Sequence, residues 1–498
     1  YLKDLFLHII TNFITIEITH NKSIVMKIVQ TFWHGNNSLL DNSFGWMNPQ
    51  YHLMSWALSC LSLKDNYQNI VLYTDSHGYE IFAEQLKLPY TDIIIQYDNL
   101  TCPEPHWAYP KLLTYSLQKE PFIHVDGDVY LPNKLDNTIE MSELIAQNKE
   151  IGSSYYKSMM NHILQKDLLM PSFLKKELEK DSIMSYNAGI IGGNDLEFIA
   201  EYCRTAFNFI ESNHLNDINS KDIHINNNIL FEQILFYAQS NSYNKPVATV
   251  LDHSVRDNGY IYDDFCNFYL YDKAKLLHII GGHKKNQRIC DLLSKTLLNK
   301  YPDYYNRVVE LFANNHKRMQ NKAKNTTFPD LSVQMCIASY QDYLHSLSKK
   351  WEKLSYTDLY DWEKCSSSYF MFLNAGKEEQ AIFTINRNPY LSIYEIPEPW
   401  PTEAKKLLKE RINKECHSDH FDIVCIPCLL YEGFKEVLIN DLCYNILILI
   451  EEEKTFECLF NELLPCFSSE ISKDKEQTYK LILTEVEYLL YHGVICIN

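Results

Sequence analysis

Residues 121–132 read PFIHVDGDVYLP, and how this stretch is read decides the fold. Phe122 to Val125 is an apolar, β-prone run, Asp126 and Asp128 follow one residue apart, and VYL closes on Pro132. This pattern predicts a buried strand that ends in a pair of carboxylates. Asp-Gly-Asp is also ordinary turn chemistry. The apolar flanks argue against a merely solvated turn, because they bury the backbone on both sides and leave the carboxylates in need of a partner.

Working outward, MKIVQTFW from Met26, NIVLYTD at 69–75 and DIIIQYD at 92–98 repeat the strand pattern. Helical periods lie between them, among them QYHLMSWALSCLSL at 50–63 and GYEIFAEQLKL at 78–88. Short apolar runs alternating with helices predict a mainly parallel mixed sheet with helices on both faces, over about 26–315. In such sheets ligands sit beyond the carboxyl ends of the strands, so Asp75, Asp126 and Asp128 are expected along one edge. There is no Gly-rich phosphate fingerprint. A D-x-D pair instead offers oxygen ligands to a hard divalent cation, which could carry a diphosphate.

Composition narrows the classes of function. The chain has 498 residues with 46 Lys and Arg against 64 Asp and Glu, a net charge of −18. A non-specific nucleic-acid surface needs a clustered basic excess, so none is expected. Fourteen irregularly spaced cysteines in a long chain lead us to expect reduced thiols and a cytoplasmic protein. Residues 1–25 hold apolar patches interrupted by Asn12, Glu17 and His20; we expect no membrane span there and set them aside as an uninformative extension.

Two further segments supply polar groups. SYNAGIIGGND, 185–195, places small residues around Asn187, which can both donate and accept. LLHIIGGHKKN, 276–286, offers His278 as a nitrogen ligand and Lys284 as a phosphate cation across Gly281 and Gly282. Each alone is weak, since a single His in an apolar run is usually a core residue.

Taken in order, strand-D-x-D, N-A-G and H-x-x-G-x-x-K resemble the GT-A fold glycosyltransferases, especially glycosyltransferase family 8. The resemblance spans roughly 26–290 and implies Asp126, Asp128 and His278 as ligands of Mn2+ or Mg2+. It implies Gly281 and Lys284 at the diphosphate of a nucleotide-sugar donor, a UDP-sugar. Lys111, in HWAYPKLLTYSL, stands where the family more usually has arginine, a departure because lysine lacks the bidentate fork. Thr31, Phe32 and Asp75 would border the nucleoside. Glu232 and Gln233, in NNNILFEQILFYA, match the family's acidic residue followed by Gln; the plain alternative is an ordinary surface pair. Asn187 completes the expected catalytic group, and retention at the anomeric carbon is implied. An inverting enzyme would need a carboxylate base, for which Asp195 is the candidate.

Beyond the sheet domain, 316–415 reads as a helical linker followed by short strands in SSYFMFLN, QAIFTINR and YLSIYEIP. The segment 416–498 reads as a hairpin, three helices and a terminal strand, a small α+β winged-helix-like domain. It carries five Lys and no Arg against fifteen Asp or Glu, which argues against DNA. Its apolar spacing resembles PqqD-like peptide-recognition domains, the leader-binding elements of ribosomally made, modified peptides (RiPP recognition elements), which implies capture of a peptide as an added strand. Cys416, His417, His420, Cys425 and Cys428 could bind zinc, but Pro427 replaces the usual knuckle turn and buried thiols are expected instead.

The function expected is therefore a metal-dependent glycosyltransferase with a peptide or protein acceptor chosen by the C-terminal module. Two alternatives stand beside it: a saccharide-acceptor transferase of surface-polysaccharide synthesis with a structural tail, and a non-catalytic peptide-binding protein.

Overall fold

The computed structural model describes residues 26–498 apart from 167, 220–224, 320–329, 413–419 and 469–470. The extension 1–25 and the candidate zinc residues Cys416 and His417 lie outside the described residues. The chain forms two compact units, one built from 55–284 with the strand before Leu39, the other from Leu40–Met54 and Lys285–Asn498.

The first unit is a mixed α/β domain. Its main sheet contains β1 (Lys27–Thr31), β2 (Ile70–Thr74), β3 (Asp92–Ile95) and β4 (Phe122–Val125). After the short β5 (Val129–Tyr130) come β6 (Leu144–Ala146), β7 (Lys149–Gly152), β8 (Ile183–Tyr186), β9 (Ile190–Gly193), β10 (Val247–Thr249), β11 (Val255–Arg256) and β12 (Leu277–His278). Seven strands run in the order β10-β6-β9-β4-β1-β2-β3. All neighbours are parallel except β9, which is antiparallel to both β4 and β6.

Alternation along each strand explains why both faces are covered. Val29, Val71, Phe122, Leu144 and Ile191 enter one buried cluster, while their neighbours Ile28, Ile70, Ile123, Ile145 and Ile190 enter another. Successive side chains of a strand point to opposite faces, so a run apolar at every position is satisfied only between two layers. The expected mainly parallel sheet is present. Its one antiparallel member comes from GIIGG, whose glycines admit close backbone: a Cβ on Gly192 would fall 2.2 Å from the Phe122 carbonyl oxygen.

The second unit has two three-stranded sheets. Their strands are β13 (Thr384–Arg387), β14 (Ser392–Tyr394), β15 (Asp422–Pro427), β16 (Phe434–Ile439), β17 (Lys454–Thr455) and β18 (Ile495–Ile497), in the orders β17-β13-β18 and β14-β15-β16. The expected hairpin is β15 with β16, and the expected helices are Asp441–Leu449, Phe456–Leu463 and Lys475–His492.

Three expectations are corrected. SSYFMFLN is not a strand: Tyr369–Asn374 is helical, burying Tyr369 and Phe372 three residues apart on one face. QAIFTINR divides into the helix Lys377–Ile382 and β13. The boundary at 416 falls between strands that pair, since β14 hydrogen-bonds to β15 and β13 to both β17 and β18. A lone hairpin would leave β15 at an edge and a lone terminal strand would have no sheet partner; the preceding segment supplies β14 for the one and β13 for the other. The helix Leu331–Trp351 joins the same core, with Ile337, Tyr340 and Trp351 against Ile423, Cys425 and Leu438. No helix among the described residues is long and apolar enough to cross a membrane.

Candidate functional site

The Asp126-Gly127-Asp128 turn sits where β4 ends, at the carboxyl edge it shares with its parallel neighbour β1 and, beyond that, β2. From Ser55 on, the helix Pro49–Asn66 belongs to this unit, and a serine stripe on it holds the turn. Ser55 Oγ donates to the Gly127 carbonyl at 2.8 Å and Ser59 Oγ to that of Val129 at 2.7 Å. Trp56 explains the glycine: a Cβ on Gly127 would lie 2.3 Å from its indole. The turn is thus fixed from beneath, and its two carboxylates diverge into different surroundings.

Asp126 meets Lys111. The helix Ala108–Leu117 sends the Lys111 ammonium into the fold, 2.9 Å from Asp126 Oδ1, 2.9 Å from Glu232 Oε1 and 3.3 Å from the Ala188 carbonyl. Glu232 is fully buried and also accepts from the Tyr115 hydroxyl at 2.9 Å, while its Oε2 has no hydrogen-bond partner. Burial pushes the Glu232 carboxyl up to about 7, against the pull of Lys111, with Asp126 adding to the rise. Burial likewise raises Asp126. Burial alone would lower Lys111, yet Asp126 and Glu232 together hold it above its ordinary range. One cation serves two carboxylates, and burial favours the protonated form of the more deeply buried one.

Asp128 meets residues from much later in the chain. Antiparallel pairing of β12 with β5 sets His278 opposite Val129, and the Ile279 amide donates to the Asp128 carbonyl at 3.1 Å. Lys284 Nζ then lies 2.5 Å from Asp128 Oδ2, and His278 Nε2 3.5 Å from Oδ1. Burial opposes ionisation of Asp128, but Lys284 and then His278 outweigh it and hold the carboxyl well below the usual range. The other imidazole nitrogen, Nδ1, is 2.8 Å from Gln147 Oε1, and the Gln147 amide nitrogen donates to Asn148 Oδ1 at 3.0 Å. An amide oxygen only accepts, so the network places a proton on Nδ1 and turns Nε2 toward Asp128. Nε2 then faces Asp128 Oδ1 across 3.5 Å.

The remaining predicted residues divide. Asn187 is buried and structural in its contacts: it donates to Glu150 at 3.1 Å and to the Tyr260 hydroxyl at 2.9 Å, and accepts from the Gly189 amide at 2.9 Å. Gly189 in turn is needed because a Cβ there would press on Gln147 and His278. Thr31 bonds Thr114 at 2.7 Å and His124 at 3.0 Å. Phe32 is buried edge-on against Trp56 and Phe82. Asp75 caps the next helical turn, accepting from Gly78 at 2.7 Å and from the His34 amide at 2.7 Å, with His34 Nδ1 at 2.8 Å. Gly281 has φ +53 in open space, and Gln233 is half-buried beside Glu232.

Asp195 is corrected. Antiparallel β9 pairs Ile190 with Val125 but Gly193 with Phe122, so Asp195 lies past the opposite end of β4 from Asp126. There it caps the helix Leu196–Ser212 and pairs with Lys245 at 2.7 Å. It is no candidate base for this site.

Trp56, Tyr115, His124 and Gln147 belong to the site's framework and were not anticipated. His124, inside the quoted strand, is fully buried 3.6 Å from Asp126; burial and then Lys111 keep it neutral. Gln147 carried no signal at all in the sequence. Among the described residues, no group of three or more His, Cys, Asp or Glu stands arranged to hold a metal ion.

Residues 26–311 match DUF6734, a family of unknown function. The chain belongs to that family. The span matched to DUF6734 contains every residue of the two carboxylate clusters, from Lys111 to Lys284. No curated protein matches the chain.

Proposed function

We propose that the first unit is a GT-A-like glycosyltransferase domain that binds a nucleotide sugar, a UDP-sugar, at the edge marked by Asp126 and Asp128. The observation that carries this is the convergence of His278 and Lys284 on Asp128, because it joins hard-oxygen, imidazole and ammonium groups where open sheets bind ligands. The donor chemistry fits Mn2+ or Mg2+: Asp126 and Asp128 would hold it with His278, whose far nitrogen Gln147 already orients. When bound, such an ion neutralises a diphosphate and stabilises the leaving nucleoside diphosphate. Lys284 would move from Asp128 toward the phosphates, and Lys111 would oppose the protonation of Asp126 that burial favours. Glu232, with one oxygen unpartnered and its carboxyl pushed up to about 7 by burial, can take up or release a proton as the charge of the site changes.

For the acceptor we propose a peptide recognised by the second unit. Strand β16 is the last strand of its sheet, where a peptide would add as a further strand along its less buried half, Phe434–Glu436, and the acidic tail suits a peptide rich in Lys or Arg. Deleting the tail is no clean test, since β13 and β14 depend on its strands. The intact chain, titrated with Lys-rich and Glu-rich peptides of equal length, should bind only the former.

The decisive assay is nucleoside diphosphate release from a panel of nucleotide sugars, with Mn2+ and with chelator. Metal-dependent turnover lost in Asp128→Asn supports the transferase; absence of binding and turnover with every donor and metal overturns it. One observation favours a second reading, a non-catalytic scaffold: Lys111 and Lys284 already neutralise both aspartates, so the site is charge-balanced without a ligand. That reading predicts that Asp128→Asn changes stability and nothing else.

A further inference from the structure

The second unit holds a cationic cluster of a different kind. Arg288 and Lys295 project from one face of the helix Gln287–Lys300, and Lys435 from β16. Their charged groups converge on the Tyr491 ring of the helix Lys475–His492, at 5.8, 5.9 and 5.7 Å from its centroid. The His492 ring lies 4.8 Å from that of Tyr491, and its Nδ1 is buried without a hydrogen-bond partner.

The nearby carboxylates are engaged by neutral donors. Asp291 accepts from Tyr51 at 2.9 Å, Gln287 at 2.8 Å and Tyr491 at 3.0 Å. Glu363 accepts from Tyr305 at 2.6 Å, the Leu429 amide at 2.9 Å and Cys428 at 3.2 Å. Glu487 is half-buried on the same helix as Tyr491, where Arg288 opposes the rise that burial gives its carboxyl. Among the described residues, neither Lys295 nor Lys435 has a carboxylate within ion-pair distance. Burial and the charge of Lys435 push Lys295 down to about 8, with Asp291 and Glu363 opposing, and burial followed by Lys435, Lys295 and Arg288 keeps His492 neutral.

A chain with 64 acidic residues has no shortage of partners for two lysines. Half-burying the two together without one is unfavourable unless an anion completes the group. We propose that Arg288, Lys295, Lys435 and His492 form a binding site for a phosphate dianion, free or as the monoester of a small molecule. Arginine and lysine supply charge-assisted donors, and the Tyr491 ring walls one side. This site is separate in sequence and chemistry from the aspartate edge of the first unit and does not depend on the transferase reading.

The test is calorimetric titration of the full chain with inorganic phosphate and, separately, with glycerol phosphate, at constant ionic strength. Saturable binding is expected, retained in Asp128→Asn and weakened about tenfold or more in Lys435→Gln and in Lys295→Gln. Tighter binding of inorganic phosphate assigns the free ion, and tighter binding of glycerol phosphate assigns an ester; either supports the site. Lys435 is on a half-buried strand position, so Lys435→Gln keeps the test open even if Lys295→Gln fails to fold. Absence of saturable heat with both probes, or undiminished affinity in Lys435→Gln, overturns the proposal.

Discussion

The aspartate edge of the first unit and the cationic cluster of the second handle buried charge in opposite ways. Around Asp126 and Asp128 every lysine is spent on a carboxylate, and Lys111 is shared between two. Around Tyr491 the lysines meet an aromatic ring and one another. The first arrangement is locked by its own ions, so removing one member exposes the rest. The second is already short of an anion, so removing one member relieves it. Site-directed changes at the two places should therefore have very unequal consequences.

The largest effect is expected for Lys111→Met. It strands Asp126 and Glu232 in the interior, a change that typically costs about 3–5 kcal/mol. Urea unfolding at neutral pH measures it, and a loss below about 1 kcal/mol would show that the two regions do not differ as described. Gly127→Ala comes next, because its Cβ would collide with the Trp56 indole; overpacking of this kind costs about 2 kcal/mol. Unchanged stability there would mean that Trp56 moves freely and does not support the turn.

The pH responses of the edge are smaller and have opposite signs. Glu232 has a folded-state affinity near 7, above its unfolded value, so the folded state holds the extra proton and stability falls as pH rises from about 4.5 to about 7. Glu232→Gln abolishes that fall, and its stability relative to the parent should improve between pH 5 and pH 8 by on the order of 2 kcal/mol. A difference that stays flat across that range refutes the assignment. Asp128 is the reverse: its folded value lies below the unfolded one, so its contribution is present above about pH 4 and is lost as pH falls further. Lys284→Met should shrink that acid-side loss. The smallest effect belongs to the other region, where Lys435→Gln should leave the thermal midpoint unchanged or slightly higher, within about 0.5 kcal/mol.

Much of this was legible in the sequence where local pattern and tertiary structure agree. The strands at 70–74 and 122–125 are buried at every position because both faces are covered, and the tail helices carry a clear period. Asp126 and Asp128 were legible as a strand end, whereas His278 and Lys284 were singled out only through the family resemblance. What was not legible depends on partners far along the chain. Nothing near Glu232 announces that Lys111 reaches it, and nothing near Gln147 announces His278. The same limit misplaced Asp195, since only the antiparallel direction of β9 sends it to the far edge. It also misread SSYFMFLN, an apolar run too short for periodicity to separate helix from strand.

The ladder between β12 and β5 has only two rungs, Leu277 with Tyr130 and His278 with Val129. Its consequence is one of timing. During synthesis the seven strands of the main sheet have all been made once Thr249 has emerged, whereas His278 and Lys284 follow later. A nascent chain therefore passes through an interval in which the sheet can close while Asp128 still faces water with neither of its later partners. Whatever first meets that carboxylate during the interval, solvent, a folding factor or a divalent ion, does so before the protein's own ammonium arrives to compete.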